Sequence, residues 1–250
     1  MSAEEKEDGI FAQMSFFEHL EELRFRLIKS LIALFIAFIA AYFISDKIIE
    51  LLSKPVAAAE NSNLTLLAPT EGFMVRLKAS FLAGLIIASP VIFFQFWKFV
   101  APGLYAKEKK FVYPVAGWSV LLFALGAVFA YQVLPFAVKF FLSFSGEGVA
   151  NAWSLSKYIT FVTYLLLAFG LVFELPLVIF FAARMGLVTP EFLRKKRRHA
   201  IVLLLVLSAL ITPPDIFTQA VLALPLVVLY EISIYLAVIA VKKRKKAERE

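Results

Sequence analysis

The 250-residue sequence predicts an all-α integral membrane protein with six transmembrane helices. Composition is the first reason. Hydrophobic residues make up 61% of the chain and charged ones 18%, and the mean hydropathy is strongly positive. A soluble domain of this length sits nearer half apolar and could not hide the surplus from water. The second reason is spacing. Apolar runs near the length a helix needs to cross the hydrocarbon recur at about 25–45, 73–98, 111–135, 157–183, 199–212 and 216–240. The alternation of a β-barrel is absent, and helices satisfy every backbone donor and acceptor without water.

Basic residues give the third. Most of the 26 lysines and arginines fall in four segments: up to Lys29, then 98–110, 184–198 and 242–249. The positive-inside rule puts these segments, and with them both termini, in the cytoplasm. Residues 1–24 then form a cytoplasmic amphipathic segment and 241–250 a basic tail. The acidic start MSAEEKEDGIFAQ has no basic region feeding a short apolar core, so no cleaved signal peptide is expected. No internal repeat or low-complexity linker interrupts the chain, which reads as one domain over 1–250.

Three connections should face outward. The longest, 46–72, reads as short helical pieces around Pro55 and Pro69, and 136–156 is apolar enough to pack with it as a cap over the bundle. The third is the turn TPPD, where Asp215 can cap the helix that follows. Residues 199–211, at 1.5 Å each, reach only about 20 Å, short of a bilayer core of about 30 Å. Either the membrane thins there or this hairpin stops below the surface.

Two stretches carry the candidate binding chemistry. In MSFFEHLEELRFRLIKSL, Phe16, Leu20, Leu23 and Leu27 recur at helical spacing, as in an interfacial amphipathic helix. Glu18, Glu21 and Glu22 lie toward other faces. An anionic lipid surface would repel those three acids, whereas a cationic ligand would explain them. In SPVIFFQFWKFVAPGLYAKEKKF, Pro90 should kink the second span and Pro102 end it, while Trp97, Phe99 and Tyr105 suit an aromatic belt. Glu108 is the sole acid of that basic loop, and a local pair with Lys109 or Lys110 is its plainest role.

A carboxylate within a span is costly and usually marks a function. Glu174 lies about 15 Å from Arg184 by helical rise, near the bilayer middle. Pro176 removes an amide donor and displaces the Val172 carbonyl; with Gly170 one turn earlier, a kink and an open polar recess beside the carboxyl are expected. A neutral acid stitching two helices is the plainer account. Glu231 is about 16 Å inside when counted back from Lys242. Counted through the short hairpin it is level with Arg197 and Arg198, which favours an ion pair with that loop.

The motifs HLEELR (19–24), PVIFFQFWKFVAPGLYAKEKK (90–110), FGLVFELP (169–176), RKKR (194–197) and TPPDIFTQ (212–219) occur in that order. In register with six spans, they resemble the TatC family of the twin-arginine protein translocase. The resemblance covers nearly the whole chain, least in the outward loops, and Thr218 stands where the family often has serine. It implies a receptor for twin-arginine signal peptides of folded precursors, working with single-span TatA and TatB type subunits and driven by the proton-motive force. It further implies a multi-pass protein of the inner membrane that self-associates in lipid, with no catalysis, cofactor, metal or nucleic acid. The signal-binding positions fall on Glu22 and Glu108, with Leu23, Arg24, Gln95, Trp97, Phe99 and Pro102 around them. Glu174 and Gln219 fall on intramembrane polar or partner-docking positions, and Pro55, Pro176 and Asp215 on family turns.

Physical chemistry supports the first assignment separately: a guanidinium offers paired donors that a carboxylate accepts bidentately, which lysine cannot match. The rival from another class is a proton-coupled small-solute transporter using Glu174, but two similar halves with paired interrupted spans are lacking. An intramembrane hydrolase is weaker still, since neither HExxH nor a cysteine nucleophile is present. Because the chain has no cysteine, single Glu22→Cys and Glu108→Cys variants should both label from one side of the membrane. Labelling from opposite sides would exclude a shared pocket.

Overall fold

The structure is a computed structural model that describes residues 16–58, 62–101, 112–144, 151–211 and 216–247. Glu108, Pro102 and Asp215, together with Tyr105, Lys109 and Lys110, lie outside the described residues. Nine helices and two short strands are described: α1 Phe16–Phe43, α2 Ser45–Ala57, β1 Ser62–Thr65, α3 Glu71–Val100 and α4 Val112–Ser143 come first. They are followed by β2 Asn151–Ser154, α5 Leu155–Phe173, α6 Leu175–Arg184, α7 Pro190–Lys195, α8 Arg197–Ile211 and α9 Ile216–Ala247. Among the described residues, five stretches are long and apolar enough to cross a membrane: Phe17–Phe43, Glu71–Val100, Tyr113–Ser143, Leu155–Arg184 and Ala223–Lys242. With α8 they make the six predicted spans. Large apolar side chains such as Phe35, Ile36, Leu125, Leu171 and Leu224 stay exposed around the bundle. That is the outside of a protein whose solvent is lipid, not water.

The core lies where α2, α3, α4 and α5 meet, with Leu52, Val75, Leu82, Leu134, Ile159, Leu165 and Phe169 buried together. Small residues let the backbones close up, as membrane helices need where no hydrophobic force drives them together. A Cβ on Gly84 would come within 2.8 Å of the Phe38 backbone on α1, and one on Gly126 within 2.6 Å of the Phe169 carbonyl on α5.

Prolines inside the helices leave carbonyls without their usual donors, and hydroxyls fill two of the vacancies. Pro55 cannot donate to Leu51, and the Tyr131 hydroxyl does so at 2.8 Å. Pro90 cannot donate to Ile86, and Ser89 Oγ does so at 2.7 Å. Pro55 is therefore a buried residue within α2, and the carbonyl it frees ties α2 to α4.

The connections differ from the sequence reading. Around Pro69 there is no helix, and the two connections meet as a parallel pair, with Ser62 opposite Asn151 and Thr65 opposite Ser154. Ser154 accepts from the Lys157 amide at 3.2 Å as N-cap of α5 and donates to Glu71 Oε1 at 2.7 Å. One hydroxyl thus joins the end of β2 to the first turns of α3 and α5. The helix α4 runs on to Ser143, eight residues' worth of helix past the expected boundary at 135 being paid in the loop it shortens. The helix α9 continues to Ala247, so most of the basic tail is helical. The short α8 spans about 22 Å, as short as the sequence predicts, which fits a thinned membrane and a recessed hairpin equally.

Gly84→Leu should strain the α1–α3 contact and lower stability by about 1–3 kcal/mol, the usual range for overpacking. Thermal unfolding in detergent would measure it; an unchanged midpoint would mean that the two helices do not need this close approach.

Candidate functional site: two acids in different settings

The first acid is at the start of the bundle. Glu22 lies on α1, and Arg26, one turn later, grips its Oε1 through Nε at 2.9 Å and also through Nη2. Helical spacing places such a pair face to face. Arg26 Nη1 also reaches Gln95 Oε1 of α3 at 3.4 Å, so the pair is braced from the neighbouring helix. His19 stacks on Phe99 with ring centroids 4.4 Å apart, and its Nδ1 is 3.8 Å from Glu22 Oε2. The carboxyl oxygen Oε2 itself is buried and has no hydrogen-bond partner among the described residues. Leu23 and Arg24 are exposed beside it. The structure therefore brings Glu22, Gln95 and Phe99 together and leaves one carboxylate oxygen held in place but unsatisfied.

Trp97 is elsewhere. It is 3% exposed and so belongs neither to a surface binding face nor to an interfacial belt. It packs on Phe181 and donates from Nε1 to Ser119 Oγ on α4 at 2.7 Å. Ser119 is in turn a polar neighbour of the second acid, Glu174.

Glu174 stands at the break between α5 and α6. Its amide bonds to the Leu171 carbonyl, and its own carbonyl accepts from Leu177 and Val178, which restart the helix behind Pro176. The helix is broken where the kink is expected, by the single residue Glu174, which itself keeps right-handed helical dihedrals. The open recess expected beside the carboxyl is not present. Gly170 is covered by the Phe123 ring, which a Cβ there would meet at 2.6 Å, and Glu174 is only 7% exposed. Oε1 has no hydrogen-bond partner among the described residues. The carboxyl is thus buried, with a polar neighbour on one side and no hydrogen-bond partner among the described residues on the other.

At the hairpin, Gln219 donates to the Leu205 carbonyl at 3.0 Å and fastens α9 to α8. Glu231 accepts from Arg197 at 2.7 Å, the ion pair preferred from sequence, and Tyr230 donates to the Leu193 carbonyl at 2.9 Å. Sequence reading missed Arg26, His19 and Ser119 as parts of these sites. The spacing of Glu22 and Arg26 was a signal available for the first. A single serine in an apolar run gave none for the last.

These features define a multi-pass helical membrane protein with one acid braced at a helix start and another within the bundle. Residues 18–225 match the model of the family described as Sec-independent protein translocase protein (TatC). The translocase protein TatC of Desulforapulum autotrophicum is 46% identical over 94% of this chain and 88% of its own length. That of Aquifex aeolicus is 43% identical over 93% of this chain and 98% of its own. Two crystal structures of the twin-arginine translocase receptor TatC superpose with TM-scores of 0.81 and 0.82. They are 44% and 43% identical, and cover 89% and 88% of this chain and 99% of their own. The chain belongs to the TatC family. The kinship is with translocase proteins, which supports that reading over a solute carrier.

Ser119→Ala should destabilise the protein by about 1–3 kcal/mol, because it orphans the Trp97 N–H in an apolar interior. In a Trp97→Phe background the same change should cost clearly less. Equal costs in denaturant unfolding would show that the bond contributes nothing.

Proposed function

We propose that the protein is the receptor subunit of a twin-arginine translocase in the cytoplasmic membrane, with both termini in the cytoplasm. It captures the paired arginines of a folded precursor's signal peptide. One observation carries the reading: Glu22 Oε2 is buried and has no hydrogen-bond partner among the described residues, while Arg26 fixes the other oxygen. A carboxylate so held takes a guanidinium with little further loss of entropy, and a bidentate match, which favours arginine over lysine, would form as the incoming arginine displaces Arg26 from Oε1. Glu108 is nine residues beyond Phe99 in sequence, within chain reach of the Glu22 cluster, and would take the second arginine. Leu23, Arg24 and Phe99 would line the groove, with Pro102 turning the chain toward it and Trp97 acting through the packing it holds.

Glu174 then serves the apolar part of the signal or a single-span TatA or TatB type helix, whose polar group would satisfy Oε1. Gln219 belongs to the same docking region, and Pro55, Pro176 and Asp215 shape the turns. Export would draw on the proton-motive force, with no reaction catalysed by this chain. The family membership and the receptor named in the matching crystal structures support this assignment.

A twin-arginine peptide should be captured by the full chain in detergent and released when both arginines are replaced by lysine. Glu22→Ala and Glu108→Ala should each weaken capture by about tenfold or more, the loss of one charge-assisted contact. Undiminished crosslinking in the double variant would overturn the proposal.

A further inference from the structure

Lys78 is on α3, about 10 Å of helical rise beyond Glu71, within the span. Its Nζ donates to Ser156 Oγ at 3.0 Å and to Thr160 Oγ1 at 2.8 Å, both on α5. Thr160 gives its own proton to the Ser156 carbonyl at 2.7 Å, so its oxygen is free to accept from the ammonium. Both partners are neutral. An ammonium has three donors, so among the described residues the pair leaves one N–H and the whole charge uncompensated. A cation within a span is costly until an anion meets it.

Against this group lies a cavity of about 430 Å³, walled by Phe38 of α1, Leu77 and Phe81 of α3, and Tyr164 and Leu167 of α5. Thr163 also borders it, but its hydroxyl is spent on the Ile159 carbonyl at 2.7 Å. The slot is therefore apolar except at Lys78, its two hydroxyl partners and the Tyr164 phenol. It opens sideways, since Tyr164 is 62% and Phe81 42% exposed.

We propose that this slot binds an anionic phospholipid, with an acyl chain between Phe38, Phe81 and Tyr164 and the phosphate on Lys78. An apolar slot with one cation at its wall asks for an amphiphile. A helix with its side chains is about 10–12 Å across, too thick for this volume, whereas one acyl chain is thin enough. Basic pockets between membrane helices bind acidic head groups by the same charge match. Long lysines also extend toward the head-group level, which brings the ammonium to the phosphate.

The test uses the full chain in vesicles of phosphatidylcholine mixed with phosphatidylglycerol, followed by mild extraction and native mass spectrometry. The wild-type chain should retain phosphatidylglycerol. Lys78→Gln should lower that retention about fivefold, the weight of one basic residue at an anionic lipid surface. Lys78→Arg should keep it, and Leu167→Trp, which fills the slot with the charge intact, should lose it. Equal retention by wild type, K78Q and L167W would overturn the site. So would displacement of the retained lipid by inorganic phosphate, or a photocrosslinker at position 164 capturing a single-span subunit in place of lipid. Should K78Q fail to fold, L167W decides alone. Twin-arginine peptide capture, measured beside it, reads the receptor function separately.

Discussion

In lipid, a polar group has no solvent to fall back on, and the arrangement of this protein follows from that constraint. Where Pro55 and Pro90 withdraw an amide, a hydroxyl takes its place on the freed carbonyl. Where Glu174 enters the bundle, the helix breaks, and Ser119 and Trp97 form a short polar line toward it. Where Lys78 enters, two hydroxyls of the facing helix gather round it. The helices pack closely around these points because Gly84 and Gly126 leave room for backbone against backbone. Among the described residues few buried side-chain atoms remain without a hydrogen bond, and in titratable groups they are Glu22 Oε2 and Glu174 Oε1. Polar groups that the fold itself does not satisfy are the natural places to look for ligands.

Much of this was legible in the sequence. The long apolar runs located the spans because helix length in a bilayer is set by thickness, which composition alone reports. The interruption before Pro176 followed from the missing amide, and the pairing of Glu231 with Arg197 from counting depth along the hairpin. The strand pair was not legible. Residues 62–65 and 151–154 are short, polar and far apart, and nothing local in SNLT or NAWS names the other as its partner.

The site was legible in part. The motifs pointed to Glu22, Gln95 and Phe99, and these do meet. They could not say that Trp97 turns inward, because an aromatic at a helix end reads the same whether it faces lipid or a serine on the next helix. Nor could they say that the room beside Gly170 is taken by Phe123, since a gap beside glycine depends on a residue of another helix. Arg26 and Lys78 were visible as charges; what each one touches was a matter of tertiary packing.

The parallel pairing of β1 with β2 has a consequence for how the chain is made. Each strand end is tied to a helix start, through Glu71 and Ser154, so the pair closes only when both helices are present. Ser62 leaves the ribosome long before Asn151, and in the interval two long apolar spans must be laid into the bilayer. Contacts between such distant residues form late, because the loop between them must be closed first. Correct insertion of α3 and α4, each in its proper direction, is thus a precondition for the pairing. A nascent chain in which one of these two spans failed to insert would carry its two strands to opposite surfaces and never zip them.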